Sequence, residues 1–338
     1  MTRRYPEPVS TFQTEDSPVA ADLLAAARAG DGEAFKLLTG PHLRALHVHA
    51  YRMLGSLDDA DEAVQDALLS AWRALGTYQG QAPLSHWLYR ITTTSSLKVI
   101  RAKSRRPVPA GEIGHLQPYP DRLLDQLTGP GADPAAIAER RESVALAFIT
   151  ALQRLPARQR AALILRDVLA WNAAEVAALL EISVPAVNSA LQRARVTLSG
   201  TRPADSVTAR PRLDARQRQV LDRFTDAWQR CDIEALAALL REDVVLSMPP
   251  ELATISGRTE VTRFFATVPA GGRLDTIRLV ATAANGHPAL AAYLPDQSAR
   301  CHGYGIMVFT FADDGITTIT GFPSPDLFER FGLPRTRD

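Results

Sequence analysis

Cysteine and lysine are scarce in this chain. Only Cys231 and Cys301 are present among 338 residues, which is too few for a disulfide framework or a cysteine zinc site. The only lysines are Lys36, Lys98 and Lys103. The formal net charge is only +1, so any affinity for nucleic acid must come from local segments.

Long apolar runs are also missing. No segment approaches the roughly 20 apolar residues that span a bilayer, and the first residues, MTRRYPEPVS, lack a signal-peptide core. The length and a hydrophobic content of 46% predict two or three globular domains. We therefore expect a cytoplasmic protein with no membrane segment, structural metal or cofactor.

Residues 155–198, LPARQRAALILRDVLAWNAAEVAALLEISVPAVNSALQRARVTL, predict a DNA-reading helix-turn-helix. Asn172 and Glu175 have capping-box spacing at the start of the first helix. Residues 181–183 make a turn of the length that joins such helices, and Ser183 caps the second helix. The second helix carries an apolar stripe, consisting of Val187, Leu191, Ala194 and Leu198.

A polar stripe lies beside the apolar one, and no acidic residue occurs from Val184 to Ser199. Amide, hydroxyl and guanidinium groups hydrogen-bond base edges and phosphates. An ordinary amphipathic helix remains the alternative. The residues predicted to contact DNA are Ser183, Asn188, Ser189, Gln192, Arg193 and Arg195.

Two upstream segments have opposite charge. LDDADEAVQDALLSAW, from Leu57, predicts a helix with an acidic face. The chain from Arg90 to Arg106 is basic without an acidic residue, and Tyr78, Trp87 and Tyr89 lie just upstream of it. Basic side chains follow phosphates and aromatic rings stack on unpaired bases, which suits melted DNA. The alternative is a basic helix end with aromatic core residues, and Trp87 is expected in the core on either interpretation.

The fold class predicted is multidomain, with two all-α domains followed by an α+β cone. Asn285-Gly286 and Asp314-Gly315 lie between strand-like runs as hairpin turns do, so the last domain should contain a curled antiparallel sheet around a cavity. The predicted divisions are a disordered tail (1–18), a helical domain (19–106), a linker (107–133), a helix-turn-helix domain (134–200), a second linker (201–212) and the α+β domain (213–335).

The order of these segments resembles extracytoplasmic-function sigma factors of the sigma-70 family. DDADEAVQDALLSAW, YQGQAPLSHWLYRI and LPARQRAALILRDVLAW carry the resemblance over residues 20–200. HVHAYRMLGS, LQPYPDRLLD and AVNSALQRAR are similar to the SigG-like branch, which has a C-terminal SnoaL-like domain, and residues 213–334 resemble that extension. The resemblance implies sigma regions 2 and 4, and as partners core RNA polymerase, through its β′ clamp and β flap, and promoter DNA.

The resemblance also implies roles for individual residues. The set that would dock on the β′ clamp is Asp59, Asp61, Glu62, Gln65 and Asp66. The set that would recognise and open the minus-10 element is Tyr78, Gln79, Gly80, Tyr89, Arg90, Thr94, Lys98 and Arg101. The helix-turn-helix would read the minus-35 element. Thr94 and Lys98 depart from the family, which often has Asn and an acid there, and this puts the preferred minus-10 sequence in doubt but not the role.

The C-terminal domain is expected to regulate activity by an intramolecular contact or a small-molecule ligand. The residues predicted to line its regulatory pocket are Trp228, Met248, Phe264, Tyr293, Tyr304 and Phe309. MPPELATISG lacks the aromatic residue that the branch usually has near Thr254 or Ile255, which puts ring stacking on a ligand in doubt.

Two other functions are open at this point. One is a ligand-responsive DNA-binding regulator that does not join the polymerase. The other is an enzyme fused to a DNA-binding module, since SnoaL-like folds include isomerases and cyclases. Its acid-base groups would be Asp275, His287, His302 and Tyr304, whose spacing gives no sign that they converge. We therefore expect a protein that is not an enzyme.

His47 and His49 form an H-x-H pair within a predicted helix. Residues two apart point to different helix faces and cannot share a metal ion as residues four apart can. They are expected to pack in the core or lie on the surface.

Overall fold

A computed structural model describes residues 18–104, 116–127, 141–199, 215–249, 254–313 and 315–337. The tail before residue 18, most of both linkers and Asp314 therefore lie outside the described residues. The chain divides into two compact units. The helical unit comprises residues 1–54, 58–106 and 155–200, and the mixed unit comprises residues 55–57, 107–154 and 201–338.

The helical unit contains most of the predicted helical segments. Its helices are α1 (Pro18–Arg28), α2 (Gly32–Thr39), α3 (Leu43–Leu54), α4 (Leu57–Ala74, whose first residue belongs to the mixed unit) and α5 (Leu84–Lys103). The helices of the mixed unit's middle part are α6 (Asp121–Asp125) and α7 (Leu146–Gln153). The helical unit resumes with α8 (Ala157–Leu163), α9 (Ala173–Leu180) and α10 (Val184–Ser199).

Helices α3 and α5 pack closely because α5 buries small hydroxyl side chains rather than large apolar ones. Ser85, Thr92, Thr93, Ser95 and Ser96 are all buried. Most of these hydroxyls donate a hydrogen bond to the backbone carbonyl four residues back, as those of Thr92, Thr93 and Ser96 do. A second face of α5 is exposed to solvent from Arg90 to Arg101.

A buried histidine completes this interface. His49 Nε2 lies 2.8 Å from the Thr93 hydroxyl, which itself donates to the Tyr89 carbonyl. Burial, reinforced by the charge of Arg52, lowers the pKa of His49 from 6.5 to about 3. His49 is thus a neutral core residue. His47 forms a 3.0 Å contact with Asp61, so packing roles are confirmed for both histidines.

Arg160 joins the segment after residue 154 to α3. Its side chain is buried and donates from Nη1 to the Met53 carbonyl and from Nη2 to the Leu155 carbonyl. Desolvation lowers the pKa of this guanidinium to about 10, which still leaves it charged at neutral pH. A buried charge costs several kcal/mol unless hydrogen-bonded, so the two carbonyls are essential partners.

The helix-turn-helix caps predicted from the sequence are confirmed. Asn172 Oδ1 accepts from the Glu175 amide at 2.9 Å, and the Glu175 carboxylate accepts from the Asn172 amide at 2.8 Å. Ser183 Oγ accepts from the Ala186 amide at 3.3 Å. The apolar stripe of α10 is buried at Val187, Leu191 and Ala194, and half-buried at Leu198. Helices α9 and α10 are bent 97° from each other.

The mixed unit combines helices with a seven-stranded sheet. Its later helices are α11 (Ala215–Gln229), α12 (Ile233–Leu239), α13 (Arg258–Thr267) and α14 (Leu327–Arg330). The strands are β1 (Leu240–Ser247), β2 (Thr254–Ser256), β3 (Arg278–Ala284), β4 (His287–Pro295), β5 (Cys301–Ala312), β6 (Gly315–Phe322) and β7 (Thr336–Arg337). The strand order is β2-β1-β6-β5-β4-β3, with β7 paired to β5.

The sheet corrects the prediction of a purely antiparallel arrangement. Strand β1 pairs with β6 in parallel, and the other pairs are antiparallel. The chain runs from β1 through β2, α13 and three further strands before β6 pairs with β1. Sequence spacing does not predict a pairing between strands so far apart in the chain.

The β3–β4 turn has the predicted hairpin geometry. Asn285 and Gly286 both have positive φ, at 56° and 76°, as a two-residue hairpin turn requires. A second prediction placed a hairpin at Asp314-Gly315. Asp314 lies outside the described residues, but Gly315 pairs with Ala312 at the start of β6.

Residues 116–127 are an integral part of the mixed unit. Asn285 is fully buried, accepts from the Tyr119 amide at 2.7 Å and donates to the Val144 carbonyl at 2.6 Å. Asp121 accepts from the Gly286 amide at 2.8 Å. The part of the predicted linker that the structure describes is therefore folded against the β3–β4 turn.

The same segment reaches the residues that precede α4. Gln117 Oε1 accepts from the Leu57 amide at 2.7 Å and from the Ser56 hydroxyl at 3.2 Å. Its own amide donates to the Gly55 carbonyl at 2.9 Å. Gln117 thus supplies an acceptor at the beginning of α4, where helix amides have no partner within the helix.

Asp121 should make the mixed unit less stable as the pH rises. Burial raises the pKa of Asp121 from 3.8 to about 6, although the Gly286 amide and Arg141 partly offset the effect. Because the folded carboxyl holds its proton more tightly than the unfolded one, its stabilising effect is present below about pH 4 and lost as the pH rises through 6. Asp121→Asn should increase the free energy of unfolding at pH 8 by about 1 to 3 kcal/mol and change it little at pH 4.

Urea unfolding of the full chain across this pH range measures the effect. Asp222→Asn is the control, because Asp222 is an exposed carboxylate on α11 of the same unit. A stability difference for Asp121→Asn that stays constant with pH would contradict the assignment.

Candidate nucleic-acid and polymerase interfaces

Helix α4 presents a stripe of four exposed residues, two of which are acidic. Glu62, Gln65 and Asp66 are exposed, and Leu69, which is 55% exposed, lies between them and the end of the helix. The offsets of three, four and seven residues from Leu69 place them on one face. We call Glu62, Gln65, Asp66 and Leu69 the acidic stripe. Leu69 was not predicted, although this spacing would have identified it.

Asp59 and Asp61, predicted to share this surface, point elsewhere. Asp59 pairs with Lys103 at the end of α5, and its side chain is only 13% exposed. Asp61 pairs with His47 on α3. Both carboxylates thus have partners inside the helical unit, and they attach α4 to the neighbouring helices.

Helix α5 presents a regular basic stripe. Arg90, Thr94, Lys98 and Arg101 are all exposed, at offsets of four, four and three residues. These are the four α5 residues predicted to face the minus-10 element other than Tyr89, and we call them the basic stripe. The family departures at Thr94 and Lys98 lie on this exposed stripe.

Tyr89 does not join the stripe. Its ring is buried and lies edge-on to His49 at a centroid distance of 5.2 Å. The structure does not present Tyr89 to DNA, because adjacent helical residues point about 100° apart and Tyr89 is turned towards His49 on α3.

The loop before α5 is open to solvent. Gln79 and Gly80 are exposed, and Gly80 has a φ of 71°. Tyr78 is half-buried, with its hydroxyl donating to the Ala82 carbonyl at 2.8 Å and its ring 5.2 Å from Trp87. A half-buried aromatic pair under an exposed loop provides a platform on which an unpaired base can stack.

Helix α10 presents the predicted polar residues. Asn188, Ser189, Gln192 and Arg193 are exposed, and we call them the recognition stripe. Arg195 is exposed too, but its guanidinium forms a two-point ion pair with Asp167. Together with Arg166 and Asn188, Arg195 lines a groove of about 510 Å³ along the helix.

The predicted regulatory pocket is not assembled as one group. Trp228 and Phe309 are buried in the core between the sheet and helices α11–α13, with Phe264 packed against that core. Tyr293 lies on the opposite face of the sheet, where its ring contacts Phe328 at 4.8 Å. Alternation along β4 explains the separation, because Leu290 and Ala292 face the core.

The remaining pocket residues lie outside that core. Tyr304 is 51% exposed and is the extra residue of a β-bulge, where Tyr293 pairs with Gly303 and Ala292 with Gly305. Met248 is half-buried, and a Cβ added at Gly321 would meet its side chain at 3.3 Å.

The acid-base candidates of the C-terminal domain are dispersed. His287 begins β4, whereas His302 pairs with Leu294 near the other end of that strand, about 24 Å away at the usual rise per residue. Asp275 contacts Cys231 Sγ at 3.4 Å, and His302 contacts Asp296 at 2.9 Å. Desolvation lowers the pKa of His287 to about 4. Nothing in these positions brings the groups to one cavity.

Metal-binding clusters and single membrane-spanning helices are both missing from the part of the chain that the structure describes. Among the described residues, no group of three or more His, Cys, Asp or Glu side chains could hold a metal ion. No single helix in the described ranges is long and apolar enough to cross a membrane. Helices α9 and α10 reach that length and apolar character only together, and they are bent by 97° from each other.

Three family descriptions match the chain in order. Residues 38–106 match sigma-70 region 2, residues 145–198 match sigma-70 region 4, and residues 221–319 match the SnoaL-like domain.

Whole proteins are similar over most of their length. The ECF RNA polymerase sigma factor SigG of Mycobacterium tuberculosis is 38% identical over 327 residues, covering 91% of this chain and 85% of its own. SigM of the same species is 35% identical over 181 residues, covering 53% of this chain and 82% of its own.

A solved structure also shares the fold. The crystal structure of the Mycobacterium tuberculosis extracytoplasmic function sigma factor SigJ has a TM-score of 0.60 and 23% identity, covering 88% of this chain and 100% of that one. The two sigma regions, the SnoaL-like domain and the extent of the SigG match lead to one conclusion: the chain belongs to the extracytoplasmic-function RNA polymerase sigma factors of the sigma-70 family, with a SnoaL-like C-terminal domain.

Proposed function

We propose that this sigma factor binds core RNA polymerase through the acidic stripe, opens the minus-10 element with the basic stripe and reads the minus-35 element with the recognition stripe. The observation that carries the proposal is the basic stripe, in which all four side chains are exposed on one face of a helix whose other face is buried. Since core polymerase works in the cytoplasm, this partner also implies that location.

The acidic stripe suits a basic surface on the β′ clamp. Its carboxylates supply charge complementarity, which raises the association rate. Leu69 supplies the apolar contact that exposed charges alone do not. Asp59 and Asp61 act indirectly, since their ion pairs hold α4 in place.

The basic stripe and the loop at 78–80 suit melted DNA. Three positive charges spaced along one helix face follow a phosphate backbone. An unpaired base that stacks in the loop is stabilised by about 1 to 3 kcal/mol, and binding of the unpaired state shifts the melting equilibrium towards it.

The recognition stripe suits the major groove of duplex DNA. Gln and Asn amides pair with adenine and Arg pairs with guanine in that groove. The bend of 97° between α9 and α10 agrees with the angle of DNA-binding helix-turn-helix pairs. In this proposal, the same region also contacts the β flap of the polymerase.

The C-terminal domain regulates rather than catalyses in this proposal. Asp275, His287, His302 and Tyr304 are dispersed over its surface and strands, as described above. Supporting a regulatory role, residues 116–127, which connect the two sigma regions, fold in one unit with the β3–β4 turn. In-vitro transcription with core polymerase tests the whole proposal, and the absence of promoter-dependent transcripts from a genomic template pool would refute it.

Reversing the charge of the acidic stripe should weaken polymerase binding. Glu62→Lys combined with Asp66→Lys is expected to reduce affinity for core polymerase about tenfold or more, because attraction becomes repulsion. Both positions are exposed, so the fold should persist. Asp22→Lys, on an exposed position of α1, is the matched control. Equal affinities for the double variant and wild type, measured by fluorescence anisotropy, would exclude this docking surface.

Removing charge from the basic stripe should impair promoter opening. Lys98→Ala with Arg101→Ala is expected to reduce open-complex formation by the holoenzyme. It should also reduce the steepness of the plot of log binding constant against log salt concentration by about 2, one for each lost phosphate contact. Permanganate reactivity of the melted strand measures opening. Arg73→Ala, exposed on α4, is the control, and an unchanged slope of that plot would contradict the prediction.

Shortening Arg193 should weaken minus-35 recognition. Arg193→Ala is expected to cost about 1 to 3 kcal/mol of promoter binding if the side chain reads a base. Holoenzyme binding to templates with and without the minus-35 element measures this loss. Arg158→Ala, exposed on α8, is the control. If Arg193→Ala, like the Arg158→Ala control, binds both templates as wild type does, then Arg193 does not read the minus-35 element.

A further inference from the structure

An acidic residue lies beside the predicted DNA-reading surface. Asp167 Oδ1 accepts from Arg195 Nη2 at 2.7 Å, and Asp167 Oδ2 accepts from Arg195 Nε at 3.1 Å. The Arg195 side chain is 61% exposed, whereas that of Asp167 is 27% exposed. Phosphates repel a carboxylate, so an acid at this position weakens general DNA binding unless it has another effect.

The backbone before the helix-turn-helix places Asp167 there. Residues Ile164–Val168 form a π-helical turn after α8, closed by a 3.0 Å bond from the Leu169 amide to the Ile164 carbonyl. Such a turn holds one more residue than an α-helical turn, which rotates the following side chains by about 100°. Sequence spacing based on α-helical periodicity therefore does not identify Asp167 as a partner of α10.

The ion pair limits the motion of the arginine. A free arginine side chain loses rotamer entropy when it is immobilised on binding. A two-point pair with a carboxylate fixes the guanidinium plane before DNA arrives. The pair uses two of the five N–H donors of the guanidinium, and Arg195 lines the α10 groove with Asn188 and Gln192.

We propose that Asp167 is a specificity-determining positioning residue, which orients Arg195 toward a guanine edge in the minus-35 duplex. The inference rests on the proposed minus-35 function of α10. The ion pair is electrically neutral, so it adds little to sequence-independent attraction. The ion pair contributes discrimination between bases, and it lowers the affinity for DNA of any sequence.

Asp167→Asn separates these two effects. It keeps the size of the side chain and removes its charge, so holoenzyme affinity for unrelated duplex DNA should rise or stay level. Preference for the optimal base over its alternatives at the position that Arg195 reads should fall about tenfold. Binding to a library of minus-35 sequences gives both quantities, and Asp167→Glu should restore part of the preference.

Two further variants make the test decisive. Glu181→Gln removes an exposed acid from the turn between α9 and α10, so it should raise affinity for all sequences without changing preference. In an Arg195→Ala background, Asp167→Asn should cause no further loss of preference. A loss of the same size in that background would show a structural effect and overturn the proposal.

The outcomes also separate the inference from the proposed function. If wild-type holoenzyme discriminates among minus-35 sequences and Asp167→Asn discriminates equally well, only the positioning role is overturned. If wild-type holoenzyme shows no minus-35 preference at all, the recognition function of α10 and the role of Asp167 are both overturned.

Discussion

The burial of small hydroxyl side chains along α5 is the constraint on which the helical unit depends. Threonine and serine bring α5 close to α3, and their hydroxyls need no outside partner because they bond to carbonyls four residues back. That packing leaves the basic stripe in solvent and places Lys103 beside Asp59 on α4. The orientation of two proposed interfaces thus follows from one helix contact.

Local patterns in the sequence were enough to predict local structure. The capping box at Asn172, the turn at residues 181–183 and the apolar stripe of α10 depend on residues within a few positions of each other. The exposed residues of α5 and α10 follow from the same helical period. The β3–β4 hairpin was predictable because Asn-Gly strongly favours its turn.

Interactions between distant segments were not predictable in this way. The partners of Asp59 and Asp61 are brought together only by helix packing, and the π-turn that places Asp167 interrupts helical spacing. Tyr293 is among the residues predicted to line the regulatory pocket, but strand alternation puts it on the other face of the sheet. The parallel pairing of β1 with β6 likewise joins strands that are far apart in the chain.

The contacts of the β3–β4 turn have a consequence for biosynthesis. Tyr119 and Asn285 are 166 residues apart, and translation at about 5 to 20 residues per second separates their emergence by roughly 10 to 30 s. The helical unit ends at residue 200, so all of its residues have been synthesised well before Asn285. The residues of the helical unit can therefore fold together before the segment at 116–127 can dock on the β3–β4 turn.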